Sequence, residues 1–154
     1  MSYVLRLMRD ADARAIAGWH YECPYRFYDA EQDADDLAEL LDAEARGEAY
    51  WAATDRDGDL QGFFSFRVEG TAVEIGLGMR PDLTGQGHGL AFVRCGLAFA
   101  RARYQPTAIV LHVAAFNQRA IRVYERAGFV AVSRLMRATN GGQHEFVKMM
   151  MPVP

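Results

Sequence analysis

Ala72-Val73-Glu74-Ile75-Gly76-Leu77-Gly78-Met79-Arg80-Pro81-Asp82-Leu83-Thr84-Gly85-Gln86-Gly87-His88-Gly89-Leu90 is the stretch on which the fold turns. Its first part alternates, so that Ala72, Glu74, Gly76 and Gly78 share one face of a strand and Val73, Ile75, Leu77 and Met79 the other. Glycine inside a strand packs nothing and weakens it. Two on one face predict a bulge, or a strand that leaves room for another chain-like molecule against its backbone. The second part, Thr84 to Gly89, is a glycine-rich turn opening a helix. A helix N-terminus offers unpaired backbone N–H groups and a partial positive charge, which suits phosphate when the preceding residues carry no side chains. A purely structural turn also uses such glycines, so the flanking elements have to decide.

Outward from this stretch, Tyr50 to Thr54, Leu60 to Val68 and Ala72 to Met79 read as a meander, with turns at Asp57-Gly58 and Glu69-Gly70. Leu90 to Tyr104 reads as a helix stopped by Pro106, and Ala108 to Val113 as an apolar strand. Asn117 to Ala127 forms a second helix, with Asn117 placed to cap it and Gly128 just past its end. Phe129 to Met136 and Glu145 to Met150 flank a turn at Asn140-Gly141-Gly142. On the other side, Tyr3 to Met8 reads as a strand and Asp10 as the cap of a helix reaching about Trp19. His20 to Ala30 is aromatic and irregular, as a loop that covers something would be. An acidic stretch then places Asp33, Asp35, Asp36, Glu39, Asp42 and Glu44 around Leu37, Leu40 and Leu41 at amphipathic helical spacing, its charges facing water or a partner. The pattern β-α-α-β-β-β-α-β-α-β-β has a single strand-helix-strand crossover. It predicts an α+β fold with a mixed, mostly antiparallel β-sheet flanked by helices.

At 154 residues and 51% hydrophobic, the chain suits one compact domain over residues 1–154. A formal charge of -3 offers no electrostatic footprint for nucleic acid. Met1 to Asp10 has neither a basic start nor a long apolar run, so no membrane association and a cytoplasmic location are expected. Cys23 and Cys95 lack the paired spacing of a zinc site, and His20, His88, His112 and His144 stand singly, so no metal is expected. His112 lies on the strand after the crossover, where it can face a cleft. Exposed sheet edges and the Met149-Met150-Met151 run make a homodimer the expected assembly, if there is one.

On the helix after the crossover, Asn117, Ile121 and Tyr124 fall at i, i+4 and i+7, hence on one side. Asn117 also reads as a simple cap, and Tyr124 as a core aromatic with its hydroxyl at the rim. Taken together, Arg80 to Gly89, the long helix, the strand, Asn117-Gln118-Arg119-Ala120 and Tyr124-Glu125-Arg126-Ala127-Gly128-Phe129 resemble the two central motifs, in order, of the GCN5-related N-acetyltransferase (GNAT) superfamily. The likeness runs from about Tyr50 to Met151, and more loosely over the elements before it. It implies acetyl-CoA as co-substrate, its pantetheine arm pairing with Leu77, Gly78 and Met79 and its pyrophosphate held by backbone amides of Thr84, Gly85, Gln86, Gly87, His88, Gly89 and Leu90. Asn117 would contact the pantetheine. By the same likeness Glu74 matches the position of a general base acting through water, and Tyr124 that of the acid for the departing thiolate. Thr84 stands where the family's loop usually starts with Arg or Gln; a register beginning at Gln86 uses the same amides.

The expected reaction moves an acetyl group to a primary amine by direct attack within a ternary complex, the acceptor being a small molecule or a peptide N-terminus. A lysine ammonium titrates near 10.4 and an α-amine near 7.7 to 8.0, so the former needs a base more. Trp19, Tyr25, Phe27 and Tyr28 in the aromatic loop, the acidic helix and the turn near Arg137 to Glu145 are the candidates for binding the acceptor. A non-catalytic acyl-CoA-binding sensor or interaction module of the same fold is the alternative. A dinucleotide-binding protein would need alternating parallel βαβ units, which the meander does not supply.

Overall fold

The computed structural model describes residues 2–154. Its elements are β1 (Val4–Leu7), α1 (Asp10–Ala17), α2 (Ala34–Leu41), α3 (Ala43–Arg46), β2 (Tyr50–Thr54), β3 (Leu60–Glu69), β4 (Ala72–Met79), α4 (Gly89–Tyr104), β5 (Ala108–Ala114), α5 (Gln118–Ala127), β6 (Val130–Thr139) and β7 (Gly142–Pro152). Short 3₁₀ turns at Tyr25–Tyr28, Ala30–Gln32 and Pro81–Leu83 punctuate the connections. The strands form one sheet in the order β1-β2-β3-β4-β5-β7-β6. β4 and β5 are parallel and the other neighbours antiparallel, as a single crossover demands.

Local chemistry sets most boundaries. The Asn117 side chain accepts the Ala120 N–H at 3.2 Å and starts α5, and Gly128 ends it at φ 114°, where a side chain would be strained. The acidic stretch is two helices rather than one. Asp33 caps α2 through the Asp36 N–H, and Asp42, accepting from the Glu44 N–H, closes α2 and opens α3. Asp10 is not the cap of α1. Arg9 holds that position, with its N–H donated to the Asp12 carboxylate at 2.9 Å, while Asp10, already helical, pairs with the buried Arg46.

Alternation along the strands divides the side chains between two layers. Phe64, Phe66, Val73, Ile75, Ile109, Leu111 and Met149 face α4 and α5, and pack with Phe92, Val93 and Leu97 into the main core. On the other face Met8, Ala13, Ile16 and Leu40 form a smaller core beneath α1 and α2, with Trp19, Tyr50 and Phe63 at its edge. The methionine run does not make an apolar surface, because Met149 and Met151 are buried and only Met150 looks out.

The β3–β4 ladder is unbroken from Glu69↔Ala72 to Gly62↔Met79, so β4 carries no bulge. Its glycines have another cause. A Cβ on Gly78 would lie 2.6 Å from the Phe63 ring, and one on Gly76 would collide with the Ser65 hydroxyl. They make room for side chains of β3 that lean across the sheet.

Candidate active site

β4 and β5 pair only over Ala72↔Ala108, Val73↔Ile109 and Glu74↔Val110. Beyond Glu74 the two strands part, because each stays with its outer neighbour. Arg80 extends the β3 ladder by donating its N–H to Gln61 O at 2.8 Å, and its guanidinium reaches Leu60 O at 2.8 Å. Ala115 extends the β7 side by donating to Glu145 O at 2.9 Å. The result is a wedge through the sheet between Ile75–Met79 and Leu111–Ala114.

On the α4/α5 side the wedge opens into a cavity of about 370 Å³ bordered by Leu77, Gly78, Met79 and the turn residues Thr84, Gly85, Gly87 and Gly89. Gly85 and Gly87 have φ 72° and 82°, left-handed values that side chains resist. His88 precedes α4 without capping it, so the first amides of that helix keep no side-chain partner. The turn's own side chains point back: the Thr84 hydroxyl donates to Pro81 O at 2.7 Å and the Gln86 amide to Asp82 O at 2.6 Å. Gln86 and His88 of the turn and Leu90 of α4 do not border the cavity. Such a run of free backbone N–H groups could hold an anion, a diphosphate among them.

Within the wedge lies a middle space of about 210 Å³, shared between the two faces. The aromatic loop closes it from above and is fastened to both strands. Tyr21 donates its hydroxyl proton to Met79 O at 2.7 Å on β4, and the Tyr28 oxygen accepts the Ala114 N–H at 3.2 Å on β5. Asn117 donates its side-chain amide to the same Tyr28 oxygen at 3.2 Å, so its carbonyl caps α5 while its NH₂ holds the loop. Burial raises the Tyr28 hydroxyl's pKa, partly offset by those two donors. Tyr124, from α5, borders both the middle space and the cavity on the α4/α5 side. Burial, with a smaller contribution from Tyr28, keeps its hydroxyl protonated well above the ordinary tyrosine range.

On the α1/α2 side a third cavity of about 360 Å³ receives Glu74 and His112. The parallel register puts both on the face away from the main core, and His112 Nδ1 lies 2.9 Å from Glu74 Oε1. Trp19, Phe27 and Tyr28 line this cavity, whereas Tyr25 lies at the middle space under the Arg119 guanidinium, 4.0 Å from its ring centre. The acidic helix contributes more than a solvated face. Asp29, Asp33, Asp36, Glu39 and Glu74 border the cavity against only Arg67 and Arg137, so its field favours a cation. Glu39 is already taken by Arg67 at 2.7 and 2.8 Å, and Asp33 is held low by the Asp36 and Asn140 N–H groups and the Thr139 hydroxyl. Asp36 is raised instead, by burial and then by Asp33 and Glu39.

Sequence reasoning missed Tyr21 and Arg119 and left His112 without a partner. Alternation from Leu111 was the signal for His112's face, but its contact with Glu74 depends on a register no single strand encodes. Nearby, ligand atoms of His20, Asp29 and Glu31 fall within 4.8 Å of one another, a grouping their spacing did not show.

Residues 3–130 match the family model described as the acetyltransferase (GNAT) domain. Mycothiol acetyltransferase of Streptomyces avermitilis is 44% identical over 78 residues, covering 49% of this chain and 25% of that protein. The Streptomyces coelicolor protein of the same name is 43% identical over 79 residues, with the same coverage of 49% and 25%. The match thus spans about a quarter of the length of these curated relatives. Among solved structures, a spermidine N-acetyltransferase chimera from Vibrio cholerae and hSSAT superposes with a TM-score of 0.79 at 23% identity, covering 99% of this chain and 96% of that one. Spermidine N-acetyltransferase from Vibrio cholerae in complex with CoA and spermine gives 0.77 at 21%, covering 97% and 95%. At such identities the likeness is one of fold.

Proposed function

The chain belongs to the acetyltransferase (GNAT) family, and from that premise we propose that it moves an acetyl group from acetyl-CoA to the primary amine of a small cationic acceptor, by direct attack within a ternary complex. One observation carries this reading: the cavities on the two faces of the sheet meet through the wedge, with Glu74 and His112 at one mouth and Tyr124 at the other.

Acetyl-CoA would lie with its phosphates at the Gly85–Gly89 turn and its pantetheine along Leu77 to Met79. The acceptor enters from the acidic cavity as an ammonium and gives a proton to the Glu74–His112 pair. The freed nitrogen bonds to the acyl carbon while the carbon–sulfur bond breaks. Sulfur takes the Tyr124 hydroxyl proton, and the second nitrogen proton, lost after the carbon–nitrogen bond forms, balances it. Tyr124 suits this role because burial holds its hydroxyl in the protonated form above the ordinary tyrosine range.

Free CoA thiol measured with acetyl-CoA and a panel of amines tests the reading. Small amines carrying a further positive charge should be turned over fastest, and anionic amines least. CoA binding without thiol release on any amine would instead mark a non-catalytic acyl-CoA sensor.

A further inference from the structure

We propose that Arg119 is the cationic ligand of the donor's diphosphate, and that Tyr25, on the loop that also covers the acceptor side, holds it there. Arg119 borders both the donor cavity and the middle space. Its Nη1 lies 3.4 Å from where a Cβ on Gly85 would stand, so the guanidinium lies directly beside the turn. Six other arginines pair with carboxylates: Arg6 with Asp12, Arg46 with Asp10, Arg67 with Glu39, Arg80 with Asp82, Arg103 with Glu48 and Arg134 with Glu145. Among the described residues no carboxylate pairs with Arg119.

Its position is also electrostatically unfavourable on its own. Arg119 lies in the first turn of α5, where a helix dipole repels a cation, and neither α4 nor α5 has an acidic residue in its first turn. The partner present is the π-face of Tyr25, 4.0 Å away. A half-buried guanidinium beside uncapped amides and two left-handed glycines is a built anion site. Thr84 and Gln86 turn their side chains away, so Arg119 is the side chain that supplies charge there.

The consequence is coupling. Tyr25 belongs to the segment that Tyr21 and Tyr28 fasten across the wedge, so a donor phosphate that fixes Arg119 also steadies the roof of the acceptor side.

This proposal takes the identity of the ligand from the acyl-CoA reading, and the test keeps the two apart. Affinity for CoA and for inorganic pyrophosphate is measured by calorimetry on the full chain and on Arg119→Gln, Arg119→Lys, Tyr25→Ala and Tyr25→Phe, with the unliganded melting temperature of each. Arg119→Gln should weaken both ligands about 10- to 100-fold. Arg119→Lys should retain part of the affinity, Tyr25→Ala should lose about 2- to 10-fold, and Tyr25→Phe should match the parent. If Arg119→Gln fails to fold, Arg119→Lys and Tyr25→Ala carry the comparison. A CoA affinity of Arg119→Gln within threefold of the parent, or, where that variant does not fold, affinities of both Arg119→Lys and Tyr25→Ala equal to the parent's, would overturn the role of Arg119. Pyrophosphate binding that depends on Arg119, with no binding of CoA to the parent, would support the anion site and overturn the acyl-CoA reading.

Discussion

Tyr124 shows what burial does to a single side chain with a reactive end. Removing water from its hydroxyl penalises the phenolate, so the group stays a proton donor rather than a base. If it protonates the leaving sulfur, Tyr124→Phe should lower kcat by roughly 10²- to 10⁴-fold while CoA affinity changes little. Single-turnover thiol release beside a CoA titration checks this, and unchanged turnover would remove Tyr124 from the mechanism. Glu74→Gln should fall on the same scale, with the loss shrinking as pH rises toward the pKa of the acceptor amine, where the amine no longer needs a base. The places of both residues at the wedge were legible in the sequence, one from the glycine face of a strand and one from its helical spacing to Asn117, while their catalytic roles came from the family likeness alone. The position of His112 at a cleft was legible too, but its 2.9 Å contact with Glu74 was not, since it joins residues 38 apart in the chain.

At the scale of elements, α4 lies against β3 at Gly96, where an added Cβ would strike the fully buried Phe64 ring, itself stacked on Phe92 at 4.4 Å. Alanine is better than glycine in a helix by about 1 kcal/mol, but overpacking a closed core costs about 1 to 3 kcal/mol. Gly96→Ala should therefore destabilise the protein on balance, read as a lower midpoint in urea. The β1–α1 junction carries a pH dependence. Asp12 accepts from Arg6 at 2.6 and 3.0 Å and from the Arg9 N–H, and the Arg6 hydrogen bonds are the main reason its pKa is lowered. A folded value below the unfolded one means stability that is present above the ordinary aspartate range near 3.9 and lost as pH falls through the folded value. Asp12→Asn should cost about 1.5 to 3 kcal/mol at neutral pH, and the gap to the parent should close in urea titrations taken at progressively more acid pH. Strand and helix boundaries were readable where caps and turn glycines stand in line, as at Asn117 and Gly128. They misled at Asp10, because whether an aspartate caps or pairs depends on Arg46, 36 residues away.

Across the whole molecule, the wedge between β4 and β5 joins cavities on opposite faces of one sheet, and a ligand lying through it would link the halves that β4 and β5 no longer hold together. Such a ligand binds the folded state alone, so CoA at about 100 times its dissociation constant should add about 2.7 kcal/mol. For a chain of this size that is roughly a 5 to 10 °C rise in melting temperature. NAD, which shares the diphosphate but not the pantetheine arm, should give much less; equal shifts would count against pantetheine binding in the wedge. Local information determined a great deal by itself: the mixed, mostly antiparallel sheet, the crossover, the glycine turn ahead of α4 and the polar face carrying Glu74. These rest on alternation, helical period, caps and backbone freedom, which act over a few residues. Tertiary structure alone decided that β4 and β5 part after Glu74, that Tyr21 and Tyr28 fasten one loop across the gap, and that Arg119 rests over Tyr25 beside Gly85. Each of these depends on which distant segments come to share a boundary, and that is settled by packing two layers against one sheet rather than by the residues on either side in the chain.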